Sequence, residues 1–200
     1  MKRYLLAIAL ATALGGLVSL GTAQAFAAEA VIAAPLRAQY ELTSSVILGM
    51  VEAIPEDKYD FKPTPEVRSF REQMQHVIAE NNNYLNLMNQ APTGDQARFT
   101  ALKTKAQIVP ALQESIANIK KSLAAMTDET GAQSIAIPPD APAGIRGSTR
   151  PRWTVIMAVL LDNMDHYGNL VVYARLNGIT PPRTAARQQA PAAQQAAPAR

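Results

Sequence analysis

Three side chains have the chemistry and the spacing to hold a cation: His76, Asp162 and His166. The 200 residues contain two histidines and no cysteine, so a transition metal bound here would need both imidazoles. Asp162 and His166 are four residues apart, one turn of a helix, and share a helix face. Two neutral imidazoles and a carboxylate suit zinc, nickel or ferrous iron, with coordination positions left for water. Water on such an ion is acidified toward neutral pH and becomes a nucleophile. The competing reading is plainer: a carboxylate on a wet face and a histidine at the margin of a core. Glu80, one turn beyond His76, is placed to orient that imidazole or to act as a base, and Asn169 and Tyr173 continue the flank of His166. The chain has no nucleophile elbow, glycine-rich phosphate loop or paired-cysteine motif.

The elements that must position these residues are helices. From about Pro35 to Ile54, Leu36, Tyr40, Val46, Ile47, Met50, Val51 and Ile54 recur at mixed three and four spacing, which predicts an amphipathic helix. The following segment, "PEDKYDFKPTPEVRS", reads as a connector whose Tyr59 and Phe61 pack back onto the body. Ser69 and Glu72 form a capping box that starts a second helix. Phe70, Met74, Val77, Ile78, Tyr84, Leu85 and Met88 make its apolar stripe, with Asn81 as a polar residue inside it. A third helix lies within about Thr100–Met126, with Ile108, Leu112, Ile116, Ile119 and Leu123 as its stripe. Pro110 sits either near its first turn or at a kink. A long connection over 127–148 follows, readable as a lid over a site or as a mobile excursion. The fourth helix runs from about Pro151 to Asn177, ended by Gly178 and the prolines after it. No convincing strand is found. Four amphipathic helices, each needing a partner for one stripe, predict an all-α four-helix bundle over residues 34–180.

The stripes locate the polar residues. His76 falls about 120° around its helix from Phe70, Asp162 about 120° from Ile156, and His166 about 80° on the same side. All three lie on the flanks of their stripes, and two facing helices can bring such flanks together at one mouth of a bundle.

The ends of the chain have other roles. Lys2 and Arg3, the apolar stretch Tyr4–Leu20 and the alanine-spaced "TAQA" and "AFAA" read as a secretory signal peptide cleaved after Ala25, or after Ala27. The protein is then expected to be periplasmic or secreted, with no stable membrane anchor after cleavage. Residues 181–200 are almost all Pro, Ala, Gln and Arg, offer no large apolar side chain to bury, and are expected to be disordered. The net charge of +3 resides at the ends: residues 1–27 carry +2 and residues 181–200 carry +3, leaving −2 on the middle. A body of that sign excludes nucleic acid as the partner.

Two stretches carry a family resemblance. "MVEAIPEDKYDFKPTPEVRSFREQMQHV" (50–77) and "DHYGNLVVYARLNGITPP" (165–182) together resemble the DinB/YfiT-like superfamily, over about residues 36–182. The resemblance implies a four-helix bundle with a metal site of three histidines, of which His76 matches the first and His166 the third. The second family histidine stands four residues before the third, and here that residue is Asp162. Aspartate ligates metals, but it reaches less far than histidine, and its charge makes a bound water less acidic. The resemblance further implies thiol transfer, or metal-dependent hydrolysis or isomerisation with small thiols, an unknown small-molecule partner, and pairing into a homodimer. Two other readings stay open: a non-enzymatic periplasmic bundle that binds a ligand or protein, its metal site degenerate, and a dimerising scaffold with a vestigial cleft.

Overall fold

The structure, a computed structural model, describes residues 31–92, 94–139, 141 and 146–190. The predicted signal peptide and residues 191–200 of the predicted tail lie outside the described residues. Four long helices make the body. Helix α1 (Ala33–Ala53) buries Tyr40, Ile47, Met50 and Val51. It has no cap of its own. Asp128, far along the chain, accepts from the amides of Val31 at 2.6 Å and Ala33 at 2.7 Å and so satisfies donors that an uncapped helix start leaves open. A 3₁₀ turn at Glu56–Lys58 leads into the connector. As expected, Tyr59 is fully buried, its ring 4.8 Å from that of Phe70, and Phe61 meets the edge of Tyr173 at 6.1 Å.

Helix α2 (Phe70–Asn89) starts with the predicted capping box. The amide of Glu72 donates to Ser69 Oγ at 3.2 Å, and the amide of Ser69 donates to Glu72 Oε2 at 2.7 Å. Such a cap is worth about 1 kcal/mol, and it fixes the phase of the helix on which His76 lies seven residues later. A single turn, α3 (Ala97–Thr100), precedes α4 (Lys105–Ala125). Helix α4 has a capping box of its own, Thr104 with Gln107, and carries Pro110 inside it, in the second turn. A proline there forfeits one backbone hydrogen bond, but burial of Ile108, Leu112, Ile116, Ile119 and Leu123 holds the helix.

The connection before the last long helix is neither a lid nor a loose excursion over its described residues. It contains α5 (Asp128–Ala132) and two strands, β1 (Ser134–Ala136) and β2 (Thr149–Pro151), paired antiparallel with Ile135 opposite Arg150. The strands differ from the expectation of none, because three residues are too few to show alternation in a sequence. Ile135 and Ile137 are buried against the core, and Gln90, at the end of α2, donates to the carbonyl of Ala136 at 3.2 Å. The connection therefore packs at the end of the bundle where α2 finishes.

Helix α6 (Arg152–Leu176) ends as predicted: Gly178 takes a φ of 71°, and the amide of Ile179 reaches back to the carbonyl of Ala174 at 2.9 Å. Part of the tail expected to be disordered is helical: α7 (Pro182–Gln189) packs on α1, with Pro182 beside Gly49. Proline at the first helical position followed by Ala, Arg and Gln suits a short helix, and the buried Pro181 anchors it. Each of α1 and α2 packs against both α4 and α6, so the four long helices close a square with α1 and α2 on one diagonal. The architecture is all-α, with the core running along its centre. No helix among the described residues is long and apolar enough to cross a membrane.

Candidate metal centre

Helices α2 and α6 are neighbours in the square, and their facing sides carry His76 on one and Asp162 with His166 on the other. Each of these residues offers a ligand atom, and the three atoms all lie within 4.8 Å of one another. The imidazole rings meet edge to face, with centroids 4.8 Å apart. His166 Nε2 stands 3.6 Å from Asp162 Oδ1. Donors on a tetrahedral ion at 2.0–2.1 Å are about 3.4 Å apart, so side-chain adjustments on the order of 1 Å close the group on an ion. These three residues form a group that could hold a metal ion.

The sequence placed all three residues on flanks. His166 lies deeper than that, at 5 % exposure, while His76 and Asp162 are half-buried. Its depth comes with a partner that sequence reasoning missed. His166 Nδ1 lies 3.0 Å from Oε1 of Gln73, which is itself buried. An amide oxygen only accepts, so Nδ1 of this imidazole donates to it, and Nε2 is the nitrogen turned toward Asp162. An outer partner of this kind fixes both the tautomer and the ring plane of a ligand. A signal for Gln73 existed: like Asn81, it is a polar residue inside the apolar stripe of α2.

The electrostatics favour a cation. Burial, then the charge of Arg68 and then that of His166, hold the His76 imidazole below its ordinary pKa, against the opposing pull of Asp162. It is therefore neutral, with a lone pair to donate. Glu80 is raised instead, chiefly by burial and next by the carboxylate of Asp162. Tyr84, one turn further, is pushed up to about 12 by burial and then by Asp162 and Glu80, so its hydroxyl stays a neutral donor. Two acids crowded at a half-buried spot repel one another, and a divalent cation beside them relieves that repulsion. The donor set and the charge deficit thus fit a metal.

His76 and Glu80 form part of the wall of an open cleft of about 920 Å³, which also takes in Arg68, Gln75, Asn83 and Phe99. No described residue of the 127–148 connection lines it. Across the Glu66–Arg68 segment lies a second cleft of about 570 Å³, with Gln73, Asn169 and Tyr173 in its wall. Tyr173 uses its hydroxyl structurally, donating to the carbonyl of Arg68, whereas Asn169 faces this second cleft rather than the metal group.

Residues 39–170 match the family model of the DinB superfamily. The fold is similar to two solved structures of DinB-like proteins. One, from Bacillus cereus, is 13 % identical, with a TM-score of 0.62 over 74 % of this chain and 93 % of that one. The other, from Bacillus subtilis, is 18 % identical, with a TM-score of 0.57 over 73 % of this chain and 93 % of that one. None of the curated proteins compared with the chain matches it.

Proposed function

Because the chain belongs to the DinB superfamily, we propose that it is an exported, divalent-metal-dependent hydrolase or transferase acting on a small molecule, with His76, Asp162 and His166 as its metal ligands. One observation carries the reading: three ligand atoms from two helices lie within 4.8 Å of one another, and the back of His166 is held by Gln73 so that its free nitrogen faces inward. Zinc, nickel and ferrous iron suit the donors, and such an ion supplies Lewis acidity and a water of lowered pKa. The chain's own residues do the rest. His76 presents a neutral lone pair, His166 turns its Nε2 toward the group, and Asp162 brings the carboxylate. Glu80, held above the usual carboxylate range by burial and by Asp162 and lining the cleft, takes up and returns a proton. The sequence of residues 1–27 supports export. A stripe of exposed apolar side chains on α6, Met157, Leu161, Val172 and Leu176, supports pairing of two copies, because apolar patches of this kind mark contact surfaces.

Aspartate in place of the family histidine favours a second reading. A shorter side chain on a group that is somewhat open for a tetrahedral ion suits a bundle that binds a ligand or protein without catalysis. Titration of the purified full-length chain with zinc, nickel and ferrous iron separates the two. The enzymatic reading expects one tightly held ion per chain, weakened by roughly 100-fold in His166→Ala, since a structural site worth about 10–16 kcal/mol over four ligands assigns about 3 kcal/mol to each. A chain that holds no ion at stoichiometry, while Asp162→His does, would show that the natural site has been given up.

A further inference from the structure

The cleft beside His76 is lined by four cationic side chains and by four carboxylates, Asp60, Glu66, Glu72 and Glu80, and the structure treats the cations differently. Arg71 is committed to Asp60 through two parallel bonds, Nε to Oδ1 at 2.9 Å and Nη2 to Oδ2 at 2.8 Å. Lys62 is committed to Glu72 at 2.9 Å, and Lys103 turns its ammonium back onto the carbonyl of Thr100 at 2.8 Å. Arg68 has no carboxylate within ion-pair distance among the described residues, although it lines the same cleft as His76 and Glu80. Its backbone, by contrast, is held on both sides. Tyr173 of α6 donates to its carbonyl, and the next residue is the capping Ser69 of α2. Arg68 therefore stands at the positive end of a long helix, where the aligned peptide dipoles disfavour a cation. An exposed guanidinium would ordinarily leave such a spot or recruit an acid. Here the chain anchors its main chain and leaves its fork free.

We propose that Arg68 is the docking group for a substrate bearing an oxyanion, a carboxylate or a phosphate, and that it holds this group in the cleft while the remainder of the substrate reaches the His76–Asp162–His166 centre. The planar guanidinium offers parallel donors matched to either oxyanion. The assignment rests on the metal-centre reading for the reacting end of the substrate, and not for the docking end.

The probes are succinate, its dimethyl ester and methyl phosphate, titrated calorimetrically into the full-length chain with and without zinc. Wild type is compared with Arg68→Gln and Arg68→Lys, and thermal melting establishes that each variant is folded. Succinate or methyl phosphate is expected to bind roughly tenfold more weakly to Arg68→Gln, with an intermediate loss in Arg68→Lys, whose point charge lacks the fork. The ester is expected to bind more weakly than the acid. Which of the two anions loses more identifies the oxyanion. Equal affinity of both anions for wild type and Arg68→Gln overturns the proposal, as does an ester that binds as tightly as the acid. If the chain takes up no zinc but the metal-free protein still shows the Arg68 dependence, the metal reading fails and the oxyanion site stands.

Discussion

Helices α2 and α6 share two polar clusters only a turn apart, and these use buried polarity in opposite ways. The inner cluster joins Asn81, Asn163 and Ser115 of α4, all at most 2 % exposed. It is a chain of neutral bonds: Asn163 Nδ2 donates to Asn81 Oδ1 at 3.1 Å, Asn81 Nδ2 to Ser115 Oγ at 3.1 Å, and Ser115 Oγ to the carbonyl of Leu112 at 2.8 Å. The outer cluster, Gln73, His76, Asp162 and His166, reaches the cleft through His76 and contains a carboxylate. Its bond from His166 to Gln73 ends on the outside of the group, leaving the inward lone pairs unengaged. Asp162 and Asn163 are adjacent residues, so a rotation of about 100° along one helix separates a carboxylate at the mouth from an amide in the core. Where water is shut out, the bundle uses neutral amides bonded across the helices, with Asn163 Oδ1 left without a partner. Where the cleft admits solvent, it keeps ionisable groups whose free lone pairs suit a ligand.

The largest effect should come from breaking the sealed cluster. Asn81→Leu preserves volume but strands the amide of Asn163 and one bond of Ser115. Each orphaned buried group costs about 1–3 kcal/mol, so urea denaturation should show a loss of about 2–4 kcal/mol. Zinc stoichiometry of the folded fraction should be unchanged. If the variant loses both stability and metal, the two clusters are one network and the contrast drawn between them fails.

Gln73→Leu sharpens the same contrast from the other side. It removes the group that fixes the tautomer of His166 without removing a ligand. Zinc affinity should fall about 10-fold, the low end for an outer partner, with a smaller change in stability than for Asn81→Leu. Competition against a chromophoric chelator reads the first quantity, and the urea midpoint reads the second. Unchanged affinity would mean that the ring plane of His166 is set by packing alone.

Much of this arrangement was readable before any coordinates. The capping box at Ser69 and Glu72 set the start of α2, and the stripes of α2 and α6 placed His76, Asp162 and His166 on compatible sides. Helical periodicity is a local signal, and here local signals agree with the fold. Depth was less readable. An angle of about 80° from a stripe centre left His166 on a flank, but its exposure depends on how closely α2 approaches, which no single helix encodes. Gln73 was hidden for the same reason: a glutamine in an apolar stripe gains meaning only from the imidazole on the facing helix. Arg68 precedes the cap and belongs to no periodic pattern, so only the course of the backbone past Tyr173 reveals its place. The hairpin of β1 and β2 escaped because its pairing joins segments twelve residues apart through residues too few to alternate.

The smallest effect tests whether the outer cluster is strained without a cation. Glu80 is raised, by burial first and by Asp162 next. A carboxyl whose folded pKa lies above its unfolded value of about 4.3 binds more protons in the folded chain. Its penalty is therefore absent below the unfolded pKa, grows as pH rises through the folded pKa, and is complete above it. Glu80→Gln removes the ionisation, so the metal-free variant should be more stable than wild type at pH 8 and no more stable at pH 4. With zinc bound, the carboxylate gains an opposite charge nearby, and the advantage of glutamine at pH 8 should shrink. Melting curves at the two pH values, with and without zinc, read this difference. The inner cluster has no ionisable member, so Asn81→Leu should show the same loss at both pH values; a loss that follows pH there would couple the two clusters through charge.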